Sequence, residues 1–171
     1  MSQVLIGIIG VILFIGLALA GAMFLGPQFQ KTSSTSRASA HLQAAAQIAH
    51  AADLYRAQEG VFATNPSNLI ARGYLKNVPV NPTAPVYHPT MMDRFNAVGV
   101  ETTPTDGQPE FVYFRVGNNK NDRGNQEVCK EINVQSGAPA TIPMTAPGLT
   151  TPNGVSGCFD NGSSLQAWTR L

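Results

Sequence analysis

Few side chains in this sequence are of types that do chemistry, so each can be weighed in turn. Cys129 and Cys158 are the two cysteines, both in the polar part of the chain. They read as a single disulfide formed in an oxidising compartment, or else as two unrelated buried thiols. They lack CxxC spacing, and no partner pattern for zinc accompanies them. His41, His50 and His88 are scattered. His41 and His50 are nine residues apart, which puts them on opposite sides of a helix, so they cannot chelate one metal and read as ordinary polar helix residues. The run from Asn118 to Asp122 offers oxygen ligands but lacks the EF-hand spacing, so it reads as a solvated turn. Asn161-Gly-Ser163 fits a glycosylation acceptor and, more simply, a turn. There is no GxSxG, P-loop or HExxH motif. The expectation is a chain with no catalytic residue, no bound metal and no cofactor, and not an enzyme.

The charge distribution is more informative. Formal net charge is +1 and charged residues make up 12% of the 171 residues, so there is no electrostatic footprint for nucleic acid. From Met1 to Gln30 there is no Asp, Glu, Lys, Arg or His. Val4 to Leu25 is a run of about 22 uncharged residues, which as a helix would span about 33 Å, enough to cross a bilayer core. A cleaved signal peptide competes with this reading through Ala18, Ala20 and Ala22. The run is longer than a usual signal core, however, and has no basic flank. The first positive side chain is Lys31, which leads to the expectation of a basic leader removed ahead of Met1. Gly16 and Ala20 form a small-xxx-small pair of the kind that lets apolar helices approach closely. Outside lipid such a surface must be covered, and Val4, Leu5, Ile8, Ile9, Ile12, Leu13, Phe14, Leu17 and Phe24 are the residues expected to pack against copies of the same helix.

The elements that follow are shorter. Gly26-Pro27 is expected to break the helix, and Lys31 to Ser36 is a poor helix former. From Arg37 to Glu59 an Ala-rich helical stripe appears at Ala45, Ile48, Ala52 and Tyr55, widened by Ala44, Ala51 and Leu54. Gly60 is its natural stop. Pro66 to Ile70 begins a short turn or helix. Phe95 to Val100, Phe111 to Val116 and Val128 to Val134 read as strands, with a turn-rich loop from Gly117 to Asn125. Ala138 to Gly157 reads as a long loop and Ser164 to Leu171 as a last strand. The fold class is α+β: a long N-terminal helix leading into a head with a small antiparallel sheet. Three segments result: residues 1–30 as an apolar membrane or filament-core helix, 31–60 as an amphipathic helix packing on the head, and 61–171 as the head.

This order of features resembles the type IV pilins, and the IVb kind in particular. Ala52-Asp53-Leu54-Tyr55-Arg56-Ala57-Gln58-Glu59-Gly60 is similar to the end of the long pilin helix. Leu69, Gly73-Tyr74-Leu75 and Pro79-Val80-Asn81-Pro82 are similar to the segment after it. Glu127 to Asn133 and Gly157-Cys158-Phe159 resemble the disulfide-bounded region of the IVb group. The resemblance implies a bridge between Cys129 and Cys158 and a Met1 modified by methylation. It further implies a prepilin peptidase and pilus assembly machinery as partners, an inner-membrane stage, and then a homopolymeric extracellular filament on a Gram-negative cell. In this family the fifth mature position usually carries Glu, which pairs with a neighbouring subunit's amine; counted from Met1, that position here is Leu5. A minor pilin, a type II secretion pseudopilin and a membrane-anchored periplasmic binding module are the alternative readings.

Overall fold

The computed structural model describes residues 2–61, 63, 66–83, 98–101, 111–144 and 154–171. The elements are α1 (Ser2–Glu59), α2 (Pro66–Ala71), β1 (Val98–Glu101), β2 (Phe111–Arg115), α3 (Arg123–Gln135), β3 (Ser156–Asp160) and β4 (Leu165–Arg170). The chain forms two compact units, Met1–Ser33 and Ser34–Leu171. The fold class is α+β.

Several expectations are corrected. The first is the break at Gly26 and Pro27: the backbone stays helical through both, as part of α1. Proline removes one hydrogen bond, and the turns on either side still carry theirs; apolar helices tolerate such a residue where neighbouring groups re-satisfy the backbone. The second is the hydroxyl-rich stretch from Lys31 to Ser36, which is also helical. Hydroxyls in this stretch and just beyond it bond back along the helix rather than competing with it. Thr32 donates to the Gln28 carbonyl over 2.9 Å, and Ser39 donates to that of Thr35 over 3.0 Å. Gly60 then ends α1, its N–H bonding the Arg56 carbonyl.

The third correction concerns Val128 to Val134, which is not a strand but the body of α3. Asp122 caps this helix by accepting from the Asn125 N–H over 3.0 Å, and Val128, Cys129, Ile132 and Asn133 share the buried face. Their spacing has the helical period, and Lys130 and Glu131 fall between them on the solvent side. The other short elements fall near their expected places. α2 covers Pro66 to Ala71, β2 covers Phe111 to Arg115, and β4 lies within Ser164 to Leu171. Of Phe95 to Val100, residues 98–100 belong to β1, whereas 95–97 lie outside the described residues. Of the long loop, Ser156 and Gly157 instead open β3, and residues 145–153 lie outside the described residues.

The sheet is antiparallel with order β1-β2-β4-β3. After β2 the chain crosses through α3 to the far edge, runs along it as β3, and returns as β4 into the middle. Strand alternation splits the side chains into two sets. Val112, Phe114, Cys158, Leu165 and Ala167 belong to the main core, with Ala38, Ala45, Ile48 and Ala52 of α1 and Val128 and Ile132 of α3. Leu54, expected to widen the helical stripe, is instead exposed. The opposite face carries Phe111, Phe159 and Trp168, with Tyr113 packed beside them. Trp168 pairs with both Tyr113 and Gly157 in register. A side chain at Gly157 would bring its Cβ within 2.9 Å of the indole Nε1 and 3.0 Å of Asn133 Oδ1, so glycine is what lets these groups close up.

Candidate functional site: an uncharged apolar helix and a stapled head

The apolar part of α1 is long enough and apolar enough to cross a membrane. Ile8, Ile9, Ile12, Leu13, Phe14 and Leu17 are all exposed, Phe14 at 73% and Leu17 at 74%. So are Ile6, Val11, Ile15, Leu19 and Met23. Consecutive residues advance by about 100° around a helix, so the run from Ile8 to Ile15 goes right round the axis. This segment has no polar face. A helix apolar on one stripe can be satisfied by a single partner; one apolar all round needs lipid or neighbours on every side. A Cβ added at Gly7, Gly10, Gly16 or Gly21 would meet nothing within 4 Å, so these positions leave grooves on an already bare surface. The side chains of Val4, Leu5, Phe24, Gly26 and Pro27 lie outside the described residues, as does Met1.

In the head, Cys129 of α3 and Cys158 of β3 form a disulfide with a Cα–Cα distance of 5.3 Å. One turn beyond Cys129, Asn133 reinforces it: Oδ1 accepts from the Cys158 N–H over 2.6 Å, and Nδ2 donates to the Cys158 carbonyl over 2.9 Å. The same Nδ2 donates to the Thr141 carbonyl over 2.6 Å. Ser136 meets Ser156 across a 2.9 Å hydroxyl contact, and the Asp160 N–H bonds the Pro143 carbonyl. Together these cover the outer edge of β3, which would otherwise present unpaired backbone groups. The end of α3 is also tied to α1: Gln135 accepts from Ser39 and donates to the Thr35 carbonyl.

His41, expected as an ordinary polar helix residue, is fully buried, edge-on to Phe114 at 6.4 Å between ring centroids. The signal was present: His41 lies four and seven residues before Ala45 and Ile48, on the stripe that packs. Its Nε2 is 2.9 Å from Thr83 Oγ1. Thr83 Oγ1 in turn accepts from the Gly117 N–H and donates to Asn81 Oδ1. Asn81 donates to the Arg115 carbonyl over 2.6 Å. With the Thr83 proton directed to Asn81, His41 donates from Nε2, and Nδ1 is left buried without a partner. Burial lowers the His41 pKa from 6.5 to about 4, so the imidazole is neutral at ordinary pH. The node pins the segment after α2 to both α1 and the end of β2.

His50 is exposed, and His88 lies outside the described residues. In the Asn118 to Asp122 loop, Asn119 Oδ1 accepts from the Asn121 N–H and Asp122 caps α3, so those oxygens face backbone donors. Lys120 reaches across to Asp160 at 3.3 Å and to the Gly162 carbonyl at 2.7 Å. Among the described residues no group of three His, Cys, Asp or Glu side chains could hold a metal. No family model, curated protein or solved structure matches this chain.

Proposed function

We propose that this chain is a structural subunit of a bacterial type IV, IVb-like pilus, polymerising through its apolar N-terminal helix into a surface filament for adhesion, aggregation, motility or conjugation. The observation that carries this reading is a helix with no charge in its first 30 residues and apolar side chains exposed all round, joined in one chain to a disulfide-stapled α+β head. Before assembly the helix resides in the inner membrane. On leaving it, burial against other copies recovers about 25 cal/mol per Å² of apolar surface. A helix of this size buries on the order of 1,000–2,000 Å², which outweighs the entropy of association. The contact is head-to-tail rather than self-complementary, so it propagates as an open helix with the heads outside. A prepilin peptidase and the pilus assembly machinery are the partners this route requires, with Met1 the residue modified.

A second reading, as a minor pilin or type II secretion pseudopilin, is favoured by one feature. No acidic residue lies between Met1 and Gln30, whereas the major subunits of the family it resembles carry a Glu in this helix, so docking here rests on packing without an ion pair. Electron microscopy of sheared surface material, with mass spectrometry of the fibres, separates the readings. Abundant fibres built of this chain establish the major subunit and trace amounts the minor one. Fibre-free cells with the chain retained in the membrane identify an anchored periplasmic module and overturn the proposal.

A further inference from the structure

The turn between β3 and β4 places around Asn161 the groups that an intramolecular acyl transfer needs. Asn161 Oδ1 accepts from two backbone donors, the Ser163 N–H at 3.0 Å and the Ser164 N–H at 2.8 Å. These polarise the side-chain carbonyl and are aimed where negative charge would develop if Cγ were attacked. The bond to Ser163 closes a ring containing both Asn161 Cγ and the Gly162 nitrogen, so electrophile and nucleophile belong to one hydrogen-bonded turn. The Gly162 N–H donates to Asp160 Oδ1 at 2.8 Å, within reach of a proton acceptor. Gly162 has φ +91°, and a Cβ there would meet nothing within 4 Å, so the nucleophile is unhindered. Asn161 is exposed, and its Nδ2 has no hydrogen-bond partner among the described residues.

From this arrangement we propose that Asn161–Gly162 is a self-modifying site, which the folded head converts to aspartate and isoaspartate. Asp160 takes the proton from the Gly162 nitrogen, whose electron pair forms a bond to Asn161 Cγ. The resulting oxyanion is held by the Ser163 and Ser164 N–H groups. Its collapse breaks the Cγ–Nδ2 bond, and Nδ2 leaves as ammonia with the proton Asp160 had taken. Water then opens the five-membered succinimide at either carbonyl. The sum is asparagine plus water giving aspartate or isoaspartate plus ammonia, with no change of oxidation state. The product puts a new carboxylate beside Asp160, the partner of Lys120, whose Nζ also donates to the Gly162 carbonyl. The reaction therefore alters the clasp between the loop before α3 and this turn. The proposal stands apart from the filament reading and does not need it.

The test is a time course at neutral pH on the purified full-length protein in detergent. Peptide mapping by mass spectrometry scores replacement of the Asn161 amide by hydroxyl, and enzymatic methylation scores isoaspartate. The same chain, reduced and held in urea, is the reference. The expected result is that Asn161 converts roughly tenfold faster folded than unfolded. Asp160→Ala, checked for its intact disulfide, should bring the folded rate down to the unfolded one. Lys120→Met leaves the Gly162 contact to Asp160 in place and should keep the faster rate. A folded rate equal to or below the unfolded rate overturns the proposal. So does an Asp160→Ala variant that folds and converts as fast as the parent.

Discussion

The side-chain amide of Asn133 takes both backbone groups of Cys158, accepting its N–H over 2.6 Å and donating to its carbonyl over 2.9 Å. A residue on one helix thus acts as a short neighbouring strand for the edge of a sheet, one turn from the disulfide that joins the same two elements. Asn133→Ala removes both bonds, together with that to the Thr141 carbonyl, and leaves the buried Cys158 donor and acceptor without these partners, which should destabilise the head by about 2–3 kcal/mol. The urea midpoint of the full-length protein in detergent, followed by tryptophan fluorescence, checks this; an unchanged midpoint would show the clamp to be energetically idle. Trp168 is a suitable reporter because it packs beside Asn133 through Gly157.

The bridge itself should matter more. Cys129 and Cys158 are separated by 29 residues, and closing such a loop restricts the unfolded chain by roughly 3–4 kcal/mol in the chain-entropy model. Residues 136–144 of that loop belong to no helix or strand, so few regular hydrogen bonds share the load. Thermal melts with and without reductant should show a clear fall in Tm on reduction. Cys129→Ser with Cys158→Ser should melt low under both conditions.

His41 should make stability pH-dependent over a defined window. Its folded pKa of about 4 lies below the ordinary 6.5, so between these values the unfolded chain binds a proton that the folded chain does not. Acidification across that window therefore favours unfolding, by an amount approaching roughly 3 kcal/mol at its lower end. Above 6.5 both states are neutral and the contribution vanishes. The comparison to make is urea midpoint against pH for the parent and for His41→Gln, which stays uncharged throughout. The parent should lose stability more steeply on acidification, and parallel curves would contradict the assignment.

A charge placed in the apolar segment should separate folding from assembly. Ile12 belongs to the unit that precedes Ser34, whereas the core and the disulfide belong to the other. Ile12→Lys should leave the head's disulfide and its melting temperature unchanged. The same lysine should abolish fibres, because a charge buried in an apolar surround costs about 2.5–3.5 kcal/mol even on permissive insertion scales. Fibre counts and melts on the same preparation measure both.

The sequence was most legible where one pattern dominated. The uncharged run, the Ala-rich stripe, the two cysteines and the flanks of β2 and β4 each carry a signal that tertiary context does not overturn. It misled where local propensity and long-range packing compete. Pro27 and the hydroxyl run after Lys31 look like breakers, yet the helix runs through both, and Thr32 turns its hydroxyl back onto the Gln28 carbonyl. Val128 to Val134 fits either period over so short a span, and the deciding cap at Asp122 lies inside what read as a loop. β3 was hidden because Ser156 and Gly157 look like turn residues. Glycine is required there by the indole of Trp168, which the local sequence does not reveal. For His41 the signal is its place on the stripe, which residue type alone does not carry.

The central claim, that the apolar segment exchanges lipid for copies of itself, is tested most directly by a photo-crosslinking side chain at Phe14 in the intact chain on cells. Phe14 is exposed and sits within the run that is apolar all round. The expected result is a ladder of self-adducts, dimer and upward, with crosslinks mapping to residues 4–25 of a second copy. Adducts to lipid alone, with no self-adduct from cells that display the chain at their surface, would contradict it.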